Sequence, residues 1–472
     1  MSFATLEFYV FFLIVFLIYL LLKHKQQNLF LLAASYIFYA WWDWRFISFL
    51  FISSTTDYFC GIMIDRHSKT GIKKRYLTLS LLVNLTILGF FKSFNFFISS
   101  LNQLLSCFGL NAYELHLHVI LPLGISFYTF QTLSYVIDVY RGEIKPVRRF
   151  TDYLLFVSFF PQLIAGPIER AKNLYHQIEN KRIISWDNIR TGSYLIYWGL
   201  FKKIFIANNC AGLASRLLSD TSGYSGSEIL VSLYAFAFQI YCDISGYTDI
   251  ARGTAKLMGF DLTINFRLPY FSRNISDFWR RWHMSMTYWF RDYVFFPVLA
   301  RAKGNAYLAS FVTLLCISLW HSISLNSIFR GVYFGIAVVL FHLYKNYRSS
   351  CKPAGGNKIT RVISSFLSWL LTFHIVCFGW LFFYPSDIKN TAAALTKIFG
   401  TFQFGAFIPH LRGLLFYIFV LIAVEIWQAI KKDELVILKT NFVVKAAFYW
   451  LTFWLLFGAG ASANLPFIYF GF

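Results

Sequence analysis

The stretch Leu6–Leu22, LEFYVFFLIVFLIYLLL, decides the fold class. Its apolar run is about as long as a helix needs to be to cross the hydrocarbon core of a bilayer. No basic segment precedes it, and the run is too long for the core of a cleaved signal peptide, so it reads as a retained span. Runs of this kind recur along the whole chain of 472 residues, which is 57% hydrophobic, 21% aromatic and only 14% charged, with a mean hydropathy of +0.55. A water-soluble surface needs more charge than that. The sequence therefore describes an all-α protein that crosses a membrane many times.

Twelve spans are expected, at 6–22, 28–44, 46–64, 77–98, 119–140, 193–207, 228–247, 307–320, 327–344, 363–384, 412–430 and 443–458. The loops orient them. Basic residues cluster at Arg66–Arg75, Arg141–Arg149, Lys345–Arg361 and Lys431–Lys439, whereas Asn102–His118 carries neither lysine nor arginine. Alternating sides puts every basic cluster on one face, the cytoplasmic one, with both termini outside. The formal net charge of +21 thus belongs to loops at an anionic membrane surface. No long basic or basic-aromatic tail points to nucleic acid. The seven cysteines are scattered, with no C-x-x-C pair, and read as small buried hydrophobes rather than a disulfide framework or a thiolate metal site.

Three stretches strain this map. Lys202 and Lys203 fall inside span 193–207, so that segment lies along the interface or its lysines snorkel. Tyr153–Pro167, YLLFVSFFPQLIAGP, is short and ends in proline and glycine, which suits a re-entrant or broken helix. Ala251–Lys303 mixes nine basic residues with aromatics. It is too polar to span and is expected as an amphipathic insert on the cytoplasmic side that dips into the membrane.

Within that insert, Asn274 can cap a helix carrying Asp277 and Arg281 at the favourable four-residue spacing. On one continuous helix, Trp279, His283, Met286 and Phe290 share an apolar face, and Arg281, Ser285, Tyr288 and Asp292 share another. Arg280 and Arg281 read first as arginines on lipid headgroups. His283 divides evenly between packing and function. His321, in SLWHSISLN, sits at the outer end of span 307–320, where a polar side chain is unfavourable unless it faces protein or a wet cavity. It is either a histidine bonded at a helix end or a neutral imidazole able to take a proton from a hydroxyl. Asp243, Ser245, Tyr247 and Asp249 gather at the inner end of span 228–247. An ion pair with nearby arginines, anchoring the insert, explains these acids better than direct catalysis does. Gly331 and Gly335 have the G-x-x-x-G spacing of closely packed helices. HLH, His116–His118, is weak evidence for a metal, and no metal site is expected. The chain lacks a P-loop, G-x-G-x-x-G and G-x-S-x-G.

Six motifs carry a resemblance: LPLGISFYTFQTLSYVIDVYRG, FFPQLIAGPIER, FQIYCDISGYTDIARG, NFRLPYFSRNISDFWRRWHMSMTYWFRDY, LWHS and the terminal PFIYFGF, together with the early LLAASYIFYAWW. In this order they resemble the membrane-bound O-acyltransferase (MBOAT) superfamily, nearest its bacterial branch of alginate O-acetylation membrane proteins, with the teichoic-acid D-alanyl transferases as cousins. The resemblance covers essentially residues 1–472, which are expected to form a single membrane domain. It implies about eleven to twelve tilted helices, plus re-entrant and amphipathic ones, ringed around a central tunnel. It also implies that His321 is catalytic, that His283, the family's second histidine, is catalytic with it by orienting the donor or assisting proton movement, and that the insert faces a cytoplasmic acyl donor. Arg280, Arg281, Trp279, Asp243 and Trp320 become candidates for holding the donor or supporting the site. Two departures from the family pattern stand out. The usual WHG reads Trp320-His321-Ser322, and Arg330 precedes Gly331 where the pattern has small and aromatic residues before WG. That arginine either binds an anionic group or snorkels.

The resemblance thus implies O-acylation, usually O-acetylation, of an extracytoplasmic polysaccharide. The donor would be acetyl-coenzyme A or another acyl thioester acting as substrate, with no bound cofactor. A separate esterase-like periplasmic protein is expected to complete the transfer, and the bacterial inner membrane is the expected location. Peptidoglycan, lipopolysaccharide or another surface glycan, or D-alanylation of teichoic acid, are rival acceptors. A transporter using His321 as a proton relay is the rival from another class; an inverted repeat would favour it, and none is visible.

Overall fold

The computed structural model describes residues 1–108, 121–164, 166–217, 221–350, 357–383, 388–460 and 467–468. HLH at 116–118, most of the KPAGGNK turn, and all of the terminal PFIYFGF except Phe467 and Ile468 lie outside these residues. Every regular element among the described residues is helical. Among the described residues, six helical runs are long and apolar enough to cross a membrane: His24–Arg66, Thr70–Cys107, Gly226–Leu257, Leu325–Ser350, Lys358–Trp380 and Phe404–Lys431. Leu6–Leu21, Ala306–His321 and Phe442–Gly458 are shorter apolar helices. Their outward faces are strongly apolar, with Leu21, Phe442 and Phe457 more than 70% exposed. A surface this apolar is suited to lipid tails rather than water.

The first run contains two of the expected spans, His24–Asp43 and Ile47–Arg66, joined by the single 3₁₀ turn Trp44–Phe46. The Asp43 side chain caps that turn by accepting from the Arg45 backbone N–H at 3.0 Å. Expected span 119–140 corresponds to Ile125–Arg141, with residues 119 and 120 outside the described chain. Gly124 opens this helix at φ +72, and a Cβ there would lie 2.4 Å from the Leu163 carbonyl oxygen. Only glycine suits that position. The 153–167 stretch is broken as expected, into Phe150–Ser158 and the single turn Phe160–Leu163.

The chain forms two compact units. One comprises Met1–Ile196 with Ile250–Thr263; the other comprises Tyr197–Asp249 with Ile264–Phe472.

In the first unit, helices Ile47–Arg66, Thr70–Cys107 and Ile125–Arg141 close around the fully buried Asp57. Its carboxylate accepts from Ser80 Oγ at 2.5 Å and from Asn84 Nδ2 at 2.8 and 3.0 Å. Ser53 Oγ donates in turn to Asn84 Oδ1 at 2.6 Å. A carboxylate this deep is tolerated only because hydrogen-bond donors surround it. Arg182 ties the N-terminal helices together, donating to Tyr19 Oη, Asn28 Oδ1 and Gln27 Oε1 at 2.8, 2.7 and 3.1 Å. Glu169, in the GPIER motif, is buried and accepts from the Thr263 backbone N–H at 2.5 Å. Burial pushes its carboxyl up to about 7.

The second unit corrects the reading of the two lysines. Phe201–Ala207 is a π-helical turn continuing Trp186–Leu200, and Lys202 and Lys203 do not snorkel. Both are buried. Lys202 Nζ lies 2.5 Å from Asp249, and Lys203 Nζ lies 2.6 Å from Asp243. The acids therefore pair with lysines 40 to 47 positions earlier in the chain rather than with nearby arginines. In an apolar interior, opposite charges close to one another outweigh the entropy of a lysine chain reaching for water. Asp243 does act as an anchor, but of the C-terminal end: its Oδ2 accepts from the Ile468 backbone N–H at 2.7 Å. Close helix packing lets the pairs form. A Cβ on Gly246 would lie 2.8 Å from the Gly199 carbonyl oxygen. The G-x-x-x-G expectation also holds. Cβ atoms on Gly331 and Gly335 would meet Leu315 at 2.9 Å and the Phe311 ring at 2.7 Å, so these glycines seat Leu325–Ser350 against Ala306–His321.

Candidate active site

His321 is the last residue of helix Ala306–His321, which Asn305 starts by accepting from the Leu308 backbone N–H at 3.0 Å. The C-terminal end of this helix packs inside the second unit, with Ile317, Ser318 and Trp320 buried beside the histidine. His321 is only 9% exposed. Its ring meets Trp320 at 4.6 Å and Phe383 at 5.2 Å between centroids, both edge-on. It lines a cavity together with Trp279, Trp282, Phe334, Trp380 and Phe383, the aliphatic Ile240, Leu314 and Ile317, and the polar Ser318 and Arg330. The aromatic walls support one another: Trp282 lies 5.0 Å from Trp380, and Trp279 lies 5.1 Å from Phe334.

Arg330 does not snorkel. It is 4% exposed, and its guanidinium sits 4.6 Å above the face of Phe383, the ring that His321 also touches. Its Nε donates to Ser318 Oγ at 2.8 Å and its Nη2 to the Ser318 carbonyl at 2.7 Å.

The expected single helix through 274–293 is two helices. Asn274 caps the first by accepting from the Asp277 backbone N–H at 2.8 Å. Asp277 pairs with Arg281 at 2.9 Å, as its spacing predicts, and with Arg280 at 3.2 Å. That helix ends at Arg281; Trp282 is extended, His283 is left-handed at φ 43, and Met284–Phe290 begins anew. The shared faces predicted across residue 283 therefore do not exist. The break comes from a segment twenty residues upstream. The Asn265 carbonyl accepts from the Met284 N–H at 2.8 Å, and its Oδ1 accepts from the Ser285 N–H and hydroxyl at 3.1 and 3.0 Å. The Arg267 N–H donates to the Arg281 carbonyl at 3.0 Å. These bonds hold the chain on both sides of His283 and offset the strain of a non-glycine left-handed residue. His283 is fully buried, with Phe266 at 5.9 Å, and burial pushes its imidazole down to about 4, so it is neutral near pH 7.

Asn265→Ala removes the side-chain half of this clamp. The expected loss is about 1–3 kcal/mol, because two donors beside His283 lose their acceptor. It would be read as a lower Tm of the detergent-purified protein; an unchanged Tm would show that the backbone bond alone fixes the turn.

The structure therefore gathers His321, Trp279 and Arg330 at one cavity, with Trp320 against the imidazole. His283 stands next in the chain to the lining residue Trp282 but is not itself in the lining. Arg280 and Arg281 are on Asp277, with 64% and 38% of their side chains exposed, and do not line the cavity. Asp243 is held in its ion pair. Asn265 carried no signal in the sequence, since its partners are distant. Lys202 and Lys203 did carry one, because two cations in one apolar run and two acids in another invite pairing. Among the described residues, no three His, Cys, Asp or Glu side chains are placed to hold a metal ion.

Residues 147–385 match the membrane-bound O-acyltransferase family, MBOAT. The "Probable alginate O-acetylase AlgI" of Pseudomonas aeruginosa is 37% identical over 410 residues, covering 85% of this chain and 76% of the relative. The peptidoglycan O-acetyltransferase of Helicobacter pylori is 31% identical, covering 82% and 77%. The teichoic acid D-alanyltransferase of Bacillus subtilis is 28% identical, covering 55% and 68%. With half its length matched to the family and such identity extending over most of its relatives, the chain belongs to the membrane-bound O-acyltransferases and is a multi-pass membrane acyltransferase.

Proposed function

We propose that the chain moves an acetyl group from a cytoplasmic acyl thioester to an acceptor hydroxyl across the membrane, for O-acetylation of an extracytoplasmic polysaccharide, with His321 as general base. The observation that carries this reading is the position of His321: the end of an apolar helix, inside a cavity walled by three tryptophans and two phenylalanines. The acceptor hydroxyl gives its proton to the imidazole as its oxygen attacks the acyl carbonyl carbon. The tetrahedral intermediate collapses, the carbon–sulfur bond breaks, and the thiolate leaves with the proton held by His321. Aromatic walls keep bulk water from competing for the thioester. His283, clamped and neutral, supports the wall through Trp282. In this reading Trp279 and Trp320 shape the cavity, Asp243 is structural, and Arg280 and Arg281 meet the donor's phosphates or the lipid headgroups outside it.

The relatives favour a glycan acceptor, since two that match over 85% and 82% of the chain are named for alginate and peptidoglycan. The rest of the proposal is location in the bacterial inner membrane with both termini outside, and an esterase-like periplasmic protein that completes the transfer. The test compares cells with and without the chain by mass spectrometry of alkali-released surface glycan. Loss of ester-linked acetyl groups from one polymer supports the reading and identifies the acceptor. Loss of ester-linked alanine instead would replace it with D-alanylation, and an unchanged glycan would refute it.

A further inference from the structure

The cavity holds a group that general-base catalysis does not use, the Arg330 guanidinium. A buried cation in an aromatic wall is unfavourable unless something offsets its lost hydration. Two of its nitrogens are aimed by fixed partners: Ser318 Oγ takes Nε, and the Ser318 carbonyl takes Nη2. Ser318 is in turn held by donating to the Ser327 carbonyl at 2.5 Å. The guanidinium carbon lies 4.6 Å over the Phe383 ring, which also touches the imidazole, so base and cation share one support. A planar, permanently charged group fixed beside the base of an acyl transfer lies where the reaction develops negative charge.

Resting on the acyl-transfer reading above, we propose that Arg330 is a catalytic residue that binds the oxyanion. When the acceptor oxygen bonds to the thioester carbonyl carbon, the carbonyl π electrons move to oxygen, and the guanidinium donates to that O⁻. When the carbon–sulfur bond breaks, the electrons return to the carbonyl and the guanidinium is released unchanged. Arginine thereby supplies electrophilic stabilisation, and His321 handles the proton. Ser318 is the positioning residue of this pair.

The test uses inverted membrane vesicles from cells making the full chain, with radiolabelled acetyl-coenzyme A varied in concentration and alkali-labile membrane product counted per mole of protein. Arg330→Gln keeps a hydrogen-bonding side chain and removes the charge. The maximal rate is expected to fall about 10²–10³-fold, as for loss of one oxyanion donor, with KM for acetyl-coenzyme A within about threefold of wild type. Arg330→Lys restores part of the rate. A rate for Arg330→Gln within threefold of wild type would overturn the proposal. So would a raised KM with the maximal rate kept, which would assign the guanidinium to a fixed anion of the donor. If Arg330→Gln does not fold, as judged by Tm in detergent, Ser318→Ala decides instead: a rate lowered at least about fivefold at unchanged Tm supports the proposal, and an unchanged rate overturns it. His321→Ala runs alongside. Product that does not depend on the chain defeats the acyl-transfer reading itself; transfer that survives His321→Ala removes the base this proposal is built beside, and transfer that His321→Ala abolishes but Arg330→Gln spares defeats only the role of Arg330.

Discussion

His321→Ala is expected to lower acyl transfer by about 10²–10⁴-fold, the usual contribution of a positioned base, while the protein still reaches the membrane in normal amount. The second half of this expectation follows from where the ring sits. It closes the last turn of its helix, so its removal breaks no interior backbone hydrogen bond. Its ring meets Trp320 and Phe383 edge-on, and both keep other aromatic neighbours. The loss should therefore fall on rate rather than fold. His321→Gln refines the point by keeping a polar group of similar size that cannot accept the proton, and it should be nearly as inactive. The measurement is ester-linked acetyl on surface glycan, normalised to membrane protein detected by an epitope tag. Full acetylation with either variant would remove His321 from the chemistry and leave its burial to packing alone.

What the sequence disclosed, and what it hid, divides by the distance over which the deciding physics acts. Spans depend on the transfer of local side chains into hydrocarbon, so hydropathy alone located a helix for each of them, including Thr70–Cys107 with its polar Asn84. The broken helix at 153–167 was equally legible, because proline and glycine act on their own backbone. The turn at His283 was not. Residues 274–293 have a consistent helical period, and the bonds from Asn265 that override it connect positions twenty apart. Arg330 was visible as an oddity, but its side could not be read. Whether it snorkels or points inward depends on Ser318 and Phe383, which other segments bring to it. The histidines were recognisable as out of place in apolar surroundings, yet only the fold separates one that lines a cavity from one locked behind its wall.

Breaking the pair between Lys203 and Asp243 is the change expected to damage the fold most. Both side chains are nearly inaccessible, at 2% and 3% exposure, with 2.6 Å between nitrogen and oxygen. Removing either partner leaves the other charge in a medium that cannot solvate it, a penalty of about 3–5 kcal/mol for buried pairs. Lys203→Met strands the carboxylate, and Asp243→Asn strands the ammonium. Each should lower the Tm in detergent steeply and reduce the amount of protein in the membrane. Asn can still offer an oxygen to the Ile468 N–H that Asp243 now holds, so the effect of Asp243→Asn isolates charge from anchoring. The double variant Lys203→Met with Asp243→Asn removes both charges at once. It should recover at least half of the stability lost by either single change, because the penalty belongs to the unpaired ion rather than to the missing attraction. If instead the two losses simply add, the pair is not electrostatically coupled. Lys202 and Asp249 would then be left to hold the π-helical turn, and the reading of these four residues as two membrane-buried ion pairs would fail.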